Sequence, residues 1–349
     1  MSRLQEFQEL FQHIRIAHEN NEQAVLVILA DAKGSAYRLP GTKMLMTSGG
    51  TMVGTISGGC LETDLYEWAN QVFKTNQLMT LQYDLSETEI WSLGIGCKGN
   101  LEFIFLPILP QNLLFNKIGE LLTLNLPFTL IIDMKDGAIS VIETELNEVP
   151  VNNIFPEEIV EYALNAMPKQ TRAEIVSTVN NRFYIDAVKP SERLIVAGAG
   201  KDAIPLAELA YKAGFSVTVL DTRSHFNNAQ FFPNAKHITK DLEHLDGEEY
   251  SNAWWIIMNH HQEKDEASLK LAIEQSPYYI GVLGPTYRTN EMLENIGYTV
   301  DSARIHSPVG LDIGAESSEE VAISIISELM CLRAGRIPNY LHGKGKIHV

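Results

Sequence analysis

Two short stretches hold the residue types best suited to chemistry. Thr55-Ile-Ser-Gly-Gly-Cys60-Leu-Glu62 and Leu93-Gly-Ile-Gly-Cys97-Lys-Gly99 each set one cysteine in a glycine-rich turn. A glutamate follows each cysteine within a few residues, Glu62 in one case and Glu102 in the other. Glycine lets the backbone turn sharply and come close to a ligand. Thiolates are soft ligands for sulfur-coordinated metals, and two of them on close-approaching loops make a labile site. The amphipathic run at residues 61–72 begins with unpaired N–H groups, which favour an anion and lower a nearby thiol's pKa. The competing reading of each stretch is a small buried cysteine in a tight bend. Two such loops in one chain favour a shared site, with Cys60 and Cys97 as metal ligands.

A third stretch is Arg193-Leu-Ile-Val-Ala-Gly198-Ala-Gly200-Lys201-Asp-Ala203. An apolar run enters Gly-x-Gly-x-x-Ala, a helical pattern follows to Gly214, and the next apolar run ends in Asp221. That is the β-α-β pattern of a dinucleotide-binding fold, with an acid placed for a ribose hydroxyl. Arg223 leaves open whether the ribose is 2′-phosphorylated. The pattern names no particular ligand: NAD(P), another nucleotide or a bare phosphate group all suit it.

Other polar stretches are weaker. Residues 31–43 contain Gly34, Pro40 and Gly41 and read as a loop. Tyr37, Arg38 and Lys43 make that loop basic, as for contact with an anionic ligand. Residues 304–316 form a long glycine-rich loop with His306, Asp312 and Glu316, better suited to function than to mere connection. His260 and His261 follow a predicted strand. Adjacent residues in extended chain point apart, which argues against a histidine pair on one metal.

The elements that position these loops follow from periodicity. Residues 3–19 repeat apolar side chains at helical spacing, and 24–30 form a buried strand. Short strands are predicted at 43–47, 51–56, 77–84, 101–106, 127–133 and 182–186, with helices at 61–72 and 112–124. The first domain is expected to be a mixed sheet with helices. From 147 to 169 the pattern weakens and prolines interrupt it. Residues 189–191 are the linker candidate, which divides the chain into domains 1–189 and 190–349, with a cleft between them faced by both cysteine loops. Beyond the linker, strands and helices alternate: strands at 253–258 and 279–283, helices at 263–274 and 287–296, and a last helix capped by Ser317 or Ser318 with Glu320. The fold class is α/β, with an N-terminal mixed α/β domain and a C-terminal Rossmann-like parallel sheet.

Composition narrows the partners. The 349 residues carry 27 basic and 44 acidic side chains, a formal charge of −17 that disfavours nucleic acid and anionic membrane. The three cysteines imply no disulfide framework, and with no apolar leader or membrane-length run they point to a cytoplasmic protein. A homodimer is the general expectation.

Taken in order, Gly34-Ser-Ala-Tyr-Arg38, Gly41-Thr-Lys43, Ser57-Gly-Gly-Cys60-Leu-Glu62, Gly94-Ile-Gly-Cys97, Gly198-Ala-Gly200, Gly281-Val-Leu-Gly284 and Pro308-Val-Gly-Leu-Asp312-Ile-Gly-Ala-Glu316 form a recognisable series. The series resembles the XdhC/CoxI family, the accessory proteins of xanthine dehydrogenase and related molybdenum hydroxylases, over residues from about 5 to 335. The resemblance implies a chaperone that binds the molybdenum cofactor (molybdopterin). Such a protein holds the cofactor during sulfuration by a cysteine desulfurase and delivers it to the apo-hydroxylase. It implies cofactor contacts at Cys60, Glu62, Cys97, Gly198, Gly200, Lys201, Asp221, Asp312, Glu316 and Arg38, and no catalytic residue. An NAD(P)-dependent oxidoreductase built on the second domain is the alternative. Two residues depart from the family pattern: Lys98 stands where glycine is usual, and Lys201 where histidine is frequent.

Overall fold

The computed structural model describes residues 3–34, 37–59, 61–84, 99–143, 155–169, 172–241, 250–298 and 305–343. Cys60, Cys97 and Lys98 lie outside the described residues. Backbone contacts divide the chain into one unit of Ser2–Pro190, with the chain end from Leu341, and another of Ser191–Tyr340.

The first unit begins with α1 (Arg3–Glu19), β1 (Ala24–Gly34), β2 (Lys43–Thr47), β3 (Met52–Val53), α2 (Glu62–Thr75), β4 (Met79–Asp84) and β5 (Gly99–Ile108). It continues with α3 (Leu113–Thr123), β6 (Phe128–Asp133), β7 (Ile139–Glu143), α4 (Glu157–Lys169), β8 (Glu174–Ser177) and β9 (Arg182–Val188). The strands form two sheets, ordered β3-β2-β1-β5-β4 and β7-β6-β9-β8. Every pairing in both is antiparallel, which replaces the expected mixed sheet.

Packing explains the sequence pattern. β1 is buried from Ala24 through Ala30 because both of its faces are covered. Leu26 and Ile28 join a core with Phe7 and Ile14 of α1, Ile118 and Leu121 of α3, and Phe128 and Leu130 of the second sheet. Val25, Val27 and Leu29 face the other way, against Leu65, Ala69 and Val72 of α2. The second sheet turns Ile131, Phe183 and Ile185 toward Ile159 and Ala163 of α4.

Several expectations require correction. Residues 157–169 are helical although Pro156 precedes them and Pro168 falls in the last turn. Pro156 stands just before the first helical residue, where a missing N–H costs nothing, and Ile159, Ala163 and Ala166 bury one face. β1 continues through Gly34, so residues 31–34 are strand and not loop. Lys43 is not a loop cation. Its side chain is 3% exposed, paired with the fully buried Asp186 carboxylate, and donates to the Gly41 carbonyl at 3.0 Å. Tyr184 donates to the same carboxylate at 3.2 Å. The pair joins β2 of one sheet to β9 of the other.

The second unit contains β10 (Arg193–Ala197), α5 (Ala203–Lys212), β11 (Ser216–Leu220), β12 (Ala235–Ile238), β13 (Trp254–Ile257), α6 (Gln262–Glu274), β14 (Tyr279–Val282), α7 (Thr286–Ile296), β15 (Ile305–His306) and α8 (Ser318–Arg333). Its six strands lie in the order β12-β11-β10-β13-β14-β15, all parallel. That is the doubly wound Rossmann order, with its reversal between β10 and β13. α5 and α8 cover one face through Leu206, Ala210, Ile325 and Leu329, and the other face packs on α6 and α7 through Leu269, Ala272, Met292 and Leu293. Ser317 and Glu320 form the expected capping box on α8. Among the described residues no helix is long and apolar enough to cross a membrane.

The buried pair generates a stability prediction. Removing one member of a buried ion pair leaves an uncompensated charge, which costs about 3–5 kcal/mol. Asp186→Ala is expected to lower the unfolding free energy in urea by that amount. The Lys43→Met/Asp186→Leu double variant is expected to recover most of it. A single variant that unfolds with the wild type would contradict this role.

Candidate functional site

In the first unit, a carboxylate builds the loop around Cys60. Glu62 is the first residue of α2 and is 9% exposed. Its Oε1 accepts from Thr55 Oγ1 at 2.8 Å, from the Ile56 N–H at 3.0 Å and from the Ser57 N–H at 2.9 Å. Its Oε2 accepts from the Ser57 hydroxyl, from the Gly59 N–H at 2.9 Å and from the Leu61 N–H at 3.2 Å. Burial alone would raise the pKa of Glu62, but these donors, led by Ser57, outweigh it and bring it down to about 2. Gly58 and Gly59 take φ of 73° and 103°, which the tight wrap around the carboxylate requires. The N–H groups expected to bind a foreign anion at this turn are thus largely taken by the chain's own.

One flank of the second cysteine loop reaches the start of α2. In sequence that loop runs between Asp84, the end of β4, and Gly99, the start of β5. Asp84 pairs with Asn100, and Gly99 pairs with Gly34 at the end of β1. The Tyr83 hydroxyl donates to Asp64 in the first turn of α2, and burial with that carboxylate beside it raises the tyrosine's pKa. The Tyr37 ring covers Gly58, lying 3.4 Å from where a Cβ would stand. The starts and ends of both glycine–cysteine loops therefore gather at one end of the five-stranded sheet. Arg38 bonds Glu6 at 2.7 Å, and Glu102 holds Arg182 through two bonds of 2.7 Å. Among the described residues no group of three or more His, Cys, Asp or Glu is placed to hold a metal.

In the second unit, Gly198, Gly200, Lys201, Asp221, Asp312 and Glu316 all lie in loops that follow the carboxyl ends of parallel strands, the side on which such sheets bind ligands. Gly198 has φ of 118°, and a Cβ there would stand 2.5 Å from the Met258 carbonyl oxygen. The close passage of β10 past β13 demands glycine. Asp221 closes the turn from below. It accepts from the Ala199 N–H at 2.9 Å and from the Arg223 N–H and guanidinium at 2.6–2.9 Å. Burial would raise its pKa, but Arg223 and the amides lower it to about 2. Its oxygens are committed to the protein, which leaves little of them for a ribose. The N–H groups of Gly200, Lys201 and Asp202 find no acceptor among the described residues. Beside Asp221 and Asn259 opens a cavity of about 430 Å³, also lined by Lys240, Asp241, Glu263 and Lys264.

Asp312 and Glu316 are exposed on the β15–α8 loop. Glu328 pins that loop, accepting from the Gly310 N–H at 2.6 Å and the Tyr279 hydroxyl at 2.9 Å and bonding His306 at 2.6 Å. Sequence reasoning missed this brace, and it missed a bond of 2.6 Å between Asp202 and His260 across the reversal point. An acid directly after Gly-x-Gly-Lys was the available signal for Asp202. Nothing local marked Glu328, which reads as an ordinary α8 residue.

The low pKa of Glu62 fixes the sign of a pH effect. A carboxylate whose pKa falls on folding adds stability that is complete above its unfolded value near 4.5 and is lost as pH drops through about 2. Glu62→Gln is expected to cost about 2 kcal/mol at pH 7. The gap between variant and wild type should close as pH falls from 4.5 toward 2. A gap independent of pH in acid denaturation would contradict the charged role.

Both units have counterparts among known proteins. The family model described as "XdhC and CoxI family" matches residues 17–84, and the one described as "XdhC Rossmann domain" matches residues 194–329. A Bacillus subtilis protein named as a probable xanthine dehydrogenase subunit is 30% identical over 328 residues, covering 90% of this chain and 94% of its own. The Escherichia coli "Molybdenum cofactor insertion chaperone PaoD" is 23% identical over 316 residues, 89% of this chain and 83% of that protein. The crystal structure of a Bacillus halodurans protein described as a xanthine dehydrogenase superposes with a TM-score of 0.74 at 27% identity, over 97% of each chain. The 30% identity with the Bacillus subtilis protein along most of both chains and the two matched segments agree: the chain belongs to the XdhC and CoxI family.

Proposed function

We propose that the chain is a maturation protein for a molybdenum enzyme. It binds the molybdenum cofactor as cargo, holds it while a cysteine desulfurase supplies sulfur, and passes it to xanthine dehydrogenase or a related molybdenum hydroxylase. It does so in the cytoplasm, as a homodimer. One observation carries the reading: the flanks of both glycine–cysteine loops gather at one end of one sheet. The likeness to PaoD along 89% of this chain supports it.

The chemistry follows from the donor set. Cys60 and Cys97 offer two soft thiolates, which match a sulfur-coordinated metal, and two ligands release a cargo more readily than four. Glu62 holds the Cys60 turn without occupying a ligand position. In the second unit, the free amides of Gly200, Lys201 and Asp202 suit a phosphate, with Lys201 adding positive charge. Lys201, Asp312 and Glu316 are exposed beside the carboxyl ends of the strands and are available to cargo or partner. These 349 residues contain three cysteines, short of the four thiolates of a single iron–sulfur cluster, so the chain does not itself carry a hydroxylase's electron path.

The strand order of the second unit favours one other reading, an NAD(P)-dependent oxidoreductase. The committed oxygens of Asp221 weigh against it. Retention of NADH and failure to retain molybdopterin after gel filtration would favour the oxidoreductase.

The direct test is molybdenum content after mixing with excess cofactor. Cys60→Ala and Cys97→Ala are each expected to lose roughly tenfold or more of the retained metal while remaining folded. Cys331, half-buried in α8, is the internal control, and Cys331→Ala is expected to retain wild-type molybdenum. Equal metal in all four proteins would leave the cysteines as structural residues.

A further inference from the structure

Asp202 is in an unusual place for the residue that begins a Rossmann helix. It holds the N-cap position of α5, with φ of −72° and ψ of −21°, yet its side chain makes no capping bond. The first turn of α5 closes without it, through Ala203 N–H to Gly200 O at 3.1 Å and Ile204 N–H to Lys201 O at 3.4 Å. The carboxylate folds back instead. Its Oδ1 lies over Gly200, so close that a Cβ on that glycine would collide with it. Its Oδ2 bonds His260 Nε2 at 2.6 Å.

Space over the second glycine of such a turn is what lets a phosphate approach the backbone. Here a carboxylate fills it. The three amides that suit a phosphate, those of Gly200, Lys201 and Asp202, have no acceptor among the described residues, and the carboxylate does not bond them. His260 holds the carboxylate from the far side of the reversal point, in the loop after β13. It does so from a left-handed backbone conformation, φ of 57°, which a non-glycine residue adopts at some energetic cost. The Asp202 side chain is 24% exposed and that of His260 57%, so both can swing outward without unpacking the core.

We propose that Asp202, latched by His260, is a built-in anion that gates the phosphate position of this crevice. The proposal rests on reading the Gly198–Gly200 turn as a phosphate receptor. In the latched state a ligand phosphate meets a negative charge over Gly200. Binding requires the Asp202 carboxylate to leave, and the Asp202–His260 bond opposes its departure. The latch selects for ligands whose other contacts, in the adjoining cavity of about 430 Å³, offset its opening. Phosphate-bearing metabolites that cannot reach that cavity are turned away.

The test is calorimetric titration of the full chain with ADP, and with adenosine as the phosphate-free probe. Asp202→Asn keeps the side chain's shape and removes its charge, and it is expected to tighten ADP about tenfold with adenosine unchanged. His260→Ala releases the carboxylate and is expected to tighten ADP by a smaller factor. Thermal melts like that of the wild type would show that both variants fold. Equal or weaker ADP binding in Asp202→Asn overturns the gate while leaving the phosphate receptor in place. Weaker binding in His260→Ala also overturns it, because the histidine would then touch the ligand itself. A parallel gain for adenosine would place the effect away from the phosphate and overturn the gate as well. Absence of ADP binding in all three proteins removes the receptor reading and the gate with it.

Discussion

A buried carboxylate has to be satisfied, and Glu62 is satisfied by one loop alone. Four backbone N–H groups and two hydroxyls, all from residues 55–61, converge on its two oxygens. Desolvating an unpaired carboxylate costs far more than such a loop loses in entropy. The turn therefore cannot relax without stranding the charge. Its position is fixed in turn by α2, whose Leu65, Ala69 and Val72 lock into β1 and β5. The start of α2 thus holds the turn of residues 55–59.

The two units treat anions in contrasting ways. In the first, the glycine-rich turn wraps a buried anion of its own, Glu62. In the second, three amides of the glycine-rich turn have no acceptor among the described residues, and the partly exposed Asp202 carboxylate lies over Gly200. Asp221 braces the second turn much as Glu62 braces the first. Glu62 takes four N–H groups of its glycine turn and Asp221 takes that of Ala199, and in each the pKa falls to about 2 against the pull of burial. One physical device, an internal carboxylate that shapes a glycine loop, serves twice in unrelated folds.

Local signals made much of this legible in sequence. The apolar run at 24–30, the capping box at Ser317 and Glu320, and the strand–glycine–helix unit at 193–212 are each set by neighbours in the chain, and the structure bears them out. Long-range pairing was not legible. Nothing near Lys43 indicates Asp186, which lies 143 residues away, so a buried cation read as a loop cation. Of the second antiparallel sheet only the strands at 127–133 and 182–186 are legible, and the partners that flank them are not. β7 and β8 are short and half-exposed, and only β6 and β9 between them make them strands. At the site, the residue types were readable but their roles were not. Glu62 and Asp221 read as ligand contacts, and the structure pairs their oxygens with backbone N–H groups, two hydroxyls and the Arg223 guanidinium.

The two glycine–cysteine loops are proposed to form one thiolate site. The most direct measurement is mass spectrometry of Cys331→Ala protein after treatment with phenylarsine oxide, a trivalent arsenical that is retained only where it bridges two neighbouring thiols. The account predicts one arsenic per chain, joining Cys60 to Cys97, and none when either cysteine is replaced by alanine. Two thiols that each react with a maleimide but never share an arsenic would contradict it.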